Sequence, residues 1–244
     1  MVGLSSGPDA ITLVRHGESV GNVADADAHR RHAERVEVSD RDPDVALSDT
    51  GREQARAVAR WLAGDGSDRR PHLVLSSPYR RARDTAEIAV EDLGVEVVLD
   101  ERLRERDLGL FDGLTGRGIR ASYPEEARRR ERMGKFYYRP PSGESWTDVV
   151  LRVRSLLTDL RHGYDGARVW MFSHQAVVMG FRYVLEGLDE ERLLAVDRDH
   201  RLANASLSTW ERHGDGFRPL GFGDTVAVEA ADGTVTRERS ATHG

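Results

Sequence analysis

Several residue types able to do chemistry stand where short apolar runs give way to polar residues. ITLV at 11–14 is followed by Arg15-His16-Gly17-Glu18-Ser19 and then Asn22. HLVL at 72–75 leads into Ser76-Ser77-Pro78-Tyr79-Arg80-Arg81. VEVVL at 95–99 leads to Leu103-Arg104-Glu105-Arg106-Asp107, and RVWMF at 168–172 ends in Ser173-His174-Gln175. Arginine offers a planar fork of donors that matches phosphate oxygens. A helix beginning near Gly17 or Glu18 would direct backbone N–H groups, with Ser19 beside them, at an anion. A neutral imidazole can attack phosphorus, and a carboxylic acid can protonate the departing alkoxide. Cationic side chains stabilise the developing charge in such a scheme, so neither a metal nor a cofactor is expected.

These residues act together only if the fold gathers them. Residues 11–16, 72–76, 95–99 and 168–173 read as strands, short apolar runs with polar ends. Between them, Ser48 is a candidate N-cap for a helix to about Ala63, with Ala55, Val58, Ala59 and Leu62 on one face. Helices are also predicted at 79–91, 145–162, 176–185 and 189–196. In the 145–162 helix, Trp146, Val149, Val150, Val153, Leu156, Leu157 and Leu160 recur at helical spacing. Strands at 205–211 and 216–222 flank His213-Gly214-Asp215-Gly216, and the stretch after 224 has strand propensity. The alternation implies an α/β three-layer sandwich, a mainly parallel sheet with helices on both faces. Ligands in such folds lie at the carboxyl ends of the strands, where the residues above fall.

The chain has 244 residues, enough for one domain over 1–244 with a core at about 11–222. The polar stretches 20–46 and 114–139, the second broken at Pro124, read as insertions forming a helical cap. There is no cysteine, which excludes disulfide scaffolds and thiolate chemistry. A net charge of −6 argues against a nucleic-acid coat, and no apolar run approaches the ~20 residues of a membrane span. No basic segment precedes an apolar run at the start, so the expected location is cytoplasmic. Locally the balance reverses: RRRERMGKFYYR at 128–139 carries Arg128, Arg129, Arg130, Arg132, Lys135 and Arg139 against Glu131 alone.

LVRHGES at 13–19 resembles the signature of the histidine phosphatase superfamily, the phosphoglycerate mutase-like fold. In the same order, Leu47 to Ala55 resembles its LSxxGxxQA segment, Ser77 to Ala86 its SPxxRAxxTA segment, and Leu103-Arg104-Glu105 through Gly113 its LxE…G segment. Ser173-His174 resembles the pair that carries the second catalytic histidine. The resemblance covers about residues 11–211. It implies that His16 is the nucleophile that becomes phosphohistidine, and that Arg15, Arg81 and His174 bind the phosphoryl group with Asn22. Glu105 is then the proton donor that later activates water. Arg80 adjoins Arg81, and the motif register selects Arg81. His29 and His32 are three residues apart, but no paired ligands accompany them, and they read as a solvated face.

After Glu105, Tyr123-Pro124-Glu125-Glu126, Tyr137, Gly143-Glu144-Ser145 and His174-Gln175-Ala176-Val177 resemble the fructose-2,6-bisphosphatase domain. That likeness implies sugar-phosphate contacts from Arg130, Lys135 and Gln175, while Gly116, Met179 and Trp146 replace expected contacts. Arg104 or Arg106, flanking Glu105, could also meet substrate. The expected function is hydrolysis of a small phosphorylated metabolite beneath a basic lid at 128–139. The alternatives are phosphoglycerate mutase-type transfer and a non-catalytic phospho-ligand sensor or scaffold. No nucleic-acid or membrane partner is expected. The oligomeric state stays open, a homodimer being one option.

Overall fold

The computed structural model describes residues 7–64 and 69–237. Six strands form one sheet in the order β3-β2-β4-β1-β5-β6. They are β1 (Ala10–Arg15), β2 (Leu73–Ser76), β3 (Val97–Leu99), β4 (Arg168–Ser173), β5 (Leu207–His213) and β6 (Gly216–Asp224). β3, β2, β4 and β1 run parallel, and the β5–β6 hairpin adds two antiparallel strands beside β1. β1 and β4 are apolar on both sides because both faces are covered. Ile11, Leu13, Val169 and Met171 pack against α6 (Trp146–Gly163) and α7 (Gln175–Leu185). Val14, Trp170 and Phe172 pack against α2 (Asp49–Ala63) and α3 (Arg80–Val90). Each such buried aliphatic side chain contributes about 1.5–3 kcal/mol.

Local chemistry starts the helices. The Ser48 hydroxyl accepts from the Gly51 N–H, and Ser145 forms a reciprocal capping box with Asp148. The strand propensity after 224 is overridden: α9 (Val226–Glu229) is a short helix. It buries Ala227 and Val228 in the α2–α3 layer, and that tertiary packing outweighs the β preference of valine. The chain returns beneath the sheet end, where Ala203 and Arg237 form an isolated bridge.

The two polar excursions meet. The first holds α1 (Val20–Arg30), and the second α4 (Gly116–Ser122) and α5 (Pro124–Met133), with Pro124 starting α5. The Thr115 N–H donates to Glu34 O and its hydroxyl to Ala33 O, while Val36 N donates to Gly113 O. α8 (Glu190–Asp199) closes a third cluster with Phe136, Trp146, Val150 and Met179. Among the described residues no helix is long and apolar enough to cross a membrane.

Candidate active site

Arg15 is the last residue of β1, and the chain leaves the sheet at its carboxyl edge. The His16 N–H donates to Ser173 O of β4 at 2.9 Å, so the loops after β1 and β4 are tied together. Arg15 Nη1 donates to Leu202 O at 2.5 Å, which fixes the guanidinium from below. The next amides are held by side chains from the flanking helices. Gly17 N donates to Thr85 Oγ1 at 3.0 Å, and Glu18 N to Gln54 Oε1 at 2.8 Å. Ser19 N donates to Asn22 Oδ1 at 2.9 Å, and Ser19 caps α1. The expectation of an anion site on the backbone amides at Gly17 and Glu18 is therefore corrected. The helix begins at Val20, and the amides of Gly17, Glu18 and Ser19 face protein acceptors. Gly51 explains its own place in the sequence: a Cβ there would lie 1.9 Å from the Glu18 carbonyl oxygen.

His16 and His174 are both buried, with ring centroids 5.1 Å apart. His16 Nδ1 lies 2.7 Å from Gly17 O. A carbonyl only accepts, so Nδ1 carries the proton and the Nε2 lone pair is left for a substrate. Burial, then the charges of Arg81 and Arg15, push the His16 pKa well below the usual histidine range, and the Gly17 hydrogen bond opposes them. His174 is depressed in the same way, by burial first and then by Arg81 and His16. Its Nε2 lies 2.9 Å from Ser77 Oγ. Its Nδ1 makes no hydrogen bond and stands 3.9 Å from Glu105 Oε2. Arg81 comes from the first turn of α3, is buried, and lies with its guanidinium carbon 5.2 Å from the Tyr79 ring centroid. A neutral imidazole beside two guanidinium groups and a half-exposed carboxyl group can pass a phosphoryl group from an ester to nitrogen.

Residues 11–225 match the family model of the histidine phosphatase superfamily (branch 1). The chain belongs to that superfamily. A probable phosphoglycerate mutase, GpmB of Photorhabdus laumondii, is 32% identical over 200 residues, 81% of this chain and 82% of that protein. The bifunctional protein Rv2228c of Mycobacterium tuberculosis is 35% identical over 167 residues, 68% of this chain. The match spans only 41% of that relative's length. Among solved structures, mycobacterial glucosyl-3-phosphoglycerate phosphatase Rv2419c in complex with VO3 superposes with a TM-score of 0.70 at 30% identity, covering 88% of this chain and 98% of that one. Histidine phosphatases and phosphoglycerate mutases thus share this fold, and the chain is placed among such enzymes.

On this histidine phosphatase scaffold the basic segment is only partly turned to the site. Arg128 pairs with Glu125, Arg129 with Glu126 and Arg139 with Asp148, so these three are surface ion pairs. Lys135 pairs with the buried Asp197, which also accepts from Gln175 Nε2 at 3.1 Å. Lys135, expected as a sugar-phosphate contact, and Gln175 are thus both joined to Asp197. Arg104 is drawn away to Glu144, whereas Arg106 stays beside Glu105 with Arg130 and Asp197 nearby. Burial lowers the pKa of Arg106, and the Arg130 charge adds to that effect. Arg80 pairs with Asp84 at 3.5 Å. Among the described residues no cluster of histidine and acidic side chains could hold a metal ion.

Several residues at the site escaped the sequence reading. Asp42, in the first excursion, accepts from Arg81 Nη1 through its carbonyl at 2.6 Å and meets it again through Oδ1 at 2.9 Å. Nothing in RDPDV marks that contact. Ser77, Gln54 and Thr85 lie inside the recognised motifs, so their presence was legible though their partners were not. Asn204 donates to His16 O at 3.2 Å from a segment without a motif.

Proposed function

We propose that the chain is a metal-independent phosphomonoester hydrolase that works through phosphohistidine on His16. The observation that carries this reading is the state of His16: buried, neutral, with Nδ1 proton-bearing toward Gly17 O, beside Arg15 and Arg81. Arg15, Arg81, His174 and Asn22 bind the phosphoryl oxygens. The His16 Nε2 lone pair attacks phosphorus while the ester P–O bond breaks, and the Glu105 carboxylic acid gives its proton to the departing alkoxide. Glu105, now a carboxylate, takes a proton from water as the water oxygen attacks phosphorus. The P–N bond breaks, phosphate leaves, and His16 is again neutral.

The substrate class is a small metabolite whose leaving group carries a second anion. Arg106 and Arg130 support this, since Arg106 feels the charge of Glu105, Arg130 lies near Arg106, and among the described residues neither arginine forms an ion pair within 4 Å. The names of the phosphatase and mutase relatives agree, since phosphoglycerate carries a carboxylate besides its phosphate. Mutase chemistry is the second reading, favoured by the GpmB likeness.

The deciding experiment is phosphate release in EDTA from sugar phosphates, glycerate phosphates, nucleotides and an aryl phosphate, for the wild type and His16→Ala. Turnover by the wild type alone is expected. Turnover surviving in His16→Ala, or lost in EDTA, sinks the proposal. Isomerisation of glycerate phosphates without net phosphate release selects the mutase.

A further inference from the structure

Segment 234–236 reaches back to the loop that carries His16. Gln54 Nε2 donates to Thr234 O at 2.8 Å and to Thr236 Oγ1 at 2.9 Å. Thr236 Oγ1 donates to Asn204 Oδ1 at 3.1 Å, and Asn204 N donates to Thr236 O at 2.9 Å. Both amides are buried, and each grips the catalytic loop with its other end. Gln54 Oε1 accepts from Glu18 N at 2.8 Å. Asn204 Nδ2 donates to His16 O and to Asn22 Oδ1, each at 3.2 Å.

The orientation of every group in this chain of bonds follows from elementary donor rules. The Glu18 N–H only donates, so the Gln54 oxygen faces it and the Gln54 NH2 faces Thr236. The His16 carbonyl only accepts, so the Asn204 NH2 faces it and the Asn204 oxygen faces Thr236. The group between the two amides must therefore accept from one and donate to the other. A hydroxyl does both with a single proton.

We propose that Thr236 is a positioning residue for the nucleophile: its hydroxyl joins the Gln54 and Asn204 amides into a clasp that holds the loop on both sides of Gly17. The clasp acts on the aim of the His16 ring, not on the binding of phosphate. This rests on the reading of His16 as the phosphoryl acceptor. A loop released on both sides lets the ring drift from the line of attack, and such drift costs rate more than affinity.

The test compares Thr236→Val, Thr236→Ala and Thr236→Ser, with His16→Ala alongside, on an aryl phosphate well below the unfolding midpoint. Thr236→Val is expected to lose about tenfold in kcat with KM changed less than about twofold. Thr236→Ser, which keeps the hydroxyl, is expected within about twofold of wild type in both. A wild-type kcat in Thr236→Val, an equal loss in Thr236→Ser, or a loss seen in KM alone overturns the clasp. So does failure of both Thr236→Val and Thr236→Ala to fold, because the hydroxyl would then be holding the fold and not the loop. Turnover persisting in His16→Ala would instead overturn the phosphohistidine reading and leave the clasp without an object.

Discussion

Gly51→Ala tests how the start of α2 supports the catalytic loop. A Cβ at Gly51 would lie 1.9 Å from Glu18 O and 2.8 Å from both the carbonyl carbon and the nitrogen of Glu18. Ordinary contact begins near 3.4 Å, so helix and loop must part by roughly 1.5 Å. The atoms met are backbone, and no side chain can swing aside. Three hydrogen bonds span this gap, Ser48 N to Glu18 O at 2.9 Å, Ser48 Oγ to Glu18 Oε1 at 2.7 Å and Glu18 N to Gln54 Oε1 at 2.8 Å. Their loss costs about 3 kcal/mol, and alanine in a helix returns up to about 1 kcal/mol. Stability should thus fall by about 2–3 kcal/mol, a drop of roughly 4–12 °C in Tm for a chain of this size. Activity should fall far more, by about 100-fold in kcat, because His16 adjoins the displaced residues. The assay is aryl phosphate turnover at 25 °C beside a thermal melt. Gly163→Ala is the control, since a Cβ there meets nothing within 4 Å. Wild-type kcat in a folded Gly51→Ala would refute the reasoning, as would a loss explained by the unfolded fraction alone.

Glu105→Gln should slow substrates with poor leaving groups by about 100-fold or more and an aryl phosphate much less, since a good leaving group needs little protonation; equal losses would remove Glu105 as the acid. Arg106→Ala and Arg130→Ala should each raise KM about tenfold for doubly charged substrates and leave an aryl phosphate nearly unchanged. Equal effects on both substrate types would take these arginines out of substrate selection. Lys135→Ala should instead destabilise the fold by about 2 kcal/mol, because it removes the charged partner of the buried Asp197 carboxylate and leaves Gln175 Nε2 as its donor. An unchanged denaturation midpoint would count against that pair. Below pH 6.5 the unfolded chain takes up protons that the buried His16 and His174 resist, so stability should fall as pH drops below 6.5 and level off above it. The slope approaches about 1.4 kcal/mol per pH unit for each ring. Denaturant midpoints from pH 4.5 to 8 measure it, and a slope unchanged in His16→Ala would contradict the assignment.

Most of the architecture was readable along the chain because strands and helices here are local. The runs ITLV and RVWMF are apolar on both faces, as strands covered by two helical layers must be. Ser48 and Ser145 announce their helices through hydroxyls a few residues from the amides they cap. The stretch after 224 was misread because valine propensity is weak beside burial against α2. For the site, the sequence named the reactive residue types, because RHGES, Ser77 to Ala86 and Leu103-Arg104-Glu105 keep their chemistry within short spans. Tertiary structure decided which charges are engaged. Arg129 and Glu126 are three residues apart, yet Lys135 meets Asp197 and Arg81 meets Asp42 across distances that no local pattern encodes. It decided too that the Gly17 and Glu18 amides serve the loop itself, through Thr85 and Gln54. A hydrogen bond depends on angstroms in space, and residues brought together by separate elements acquire that distance only when the sheet and its two layers pack.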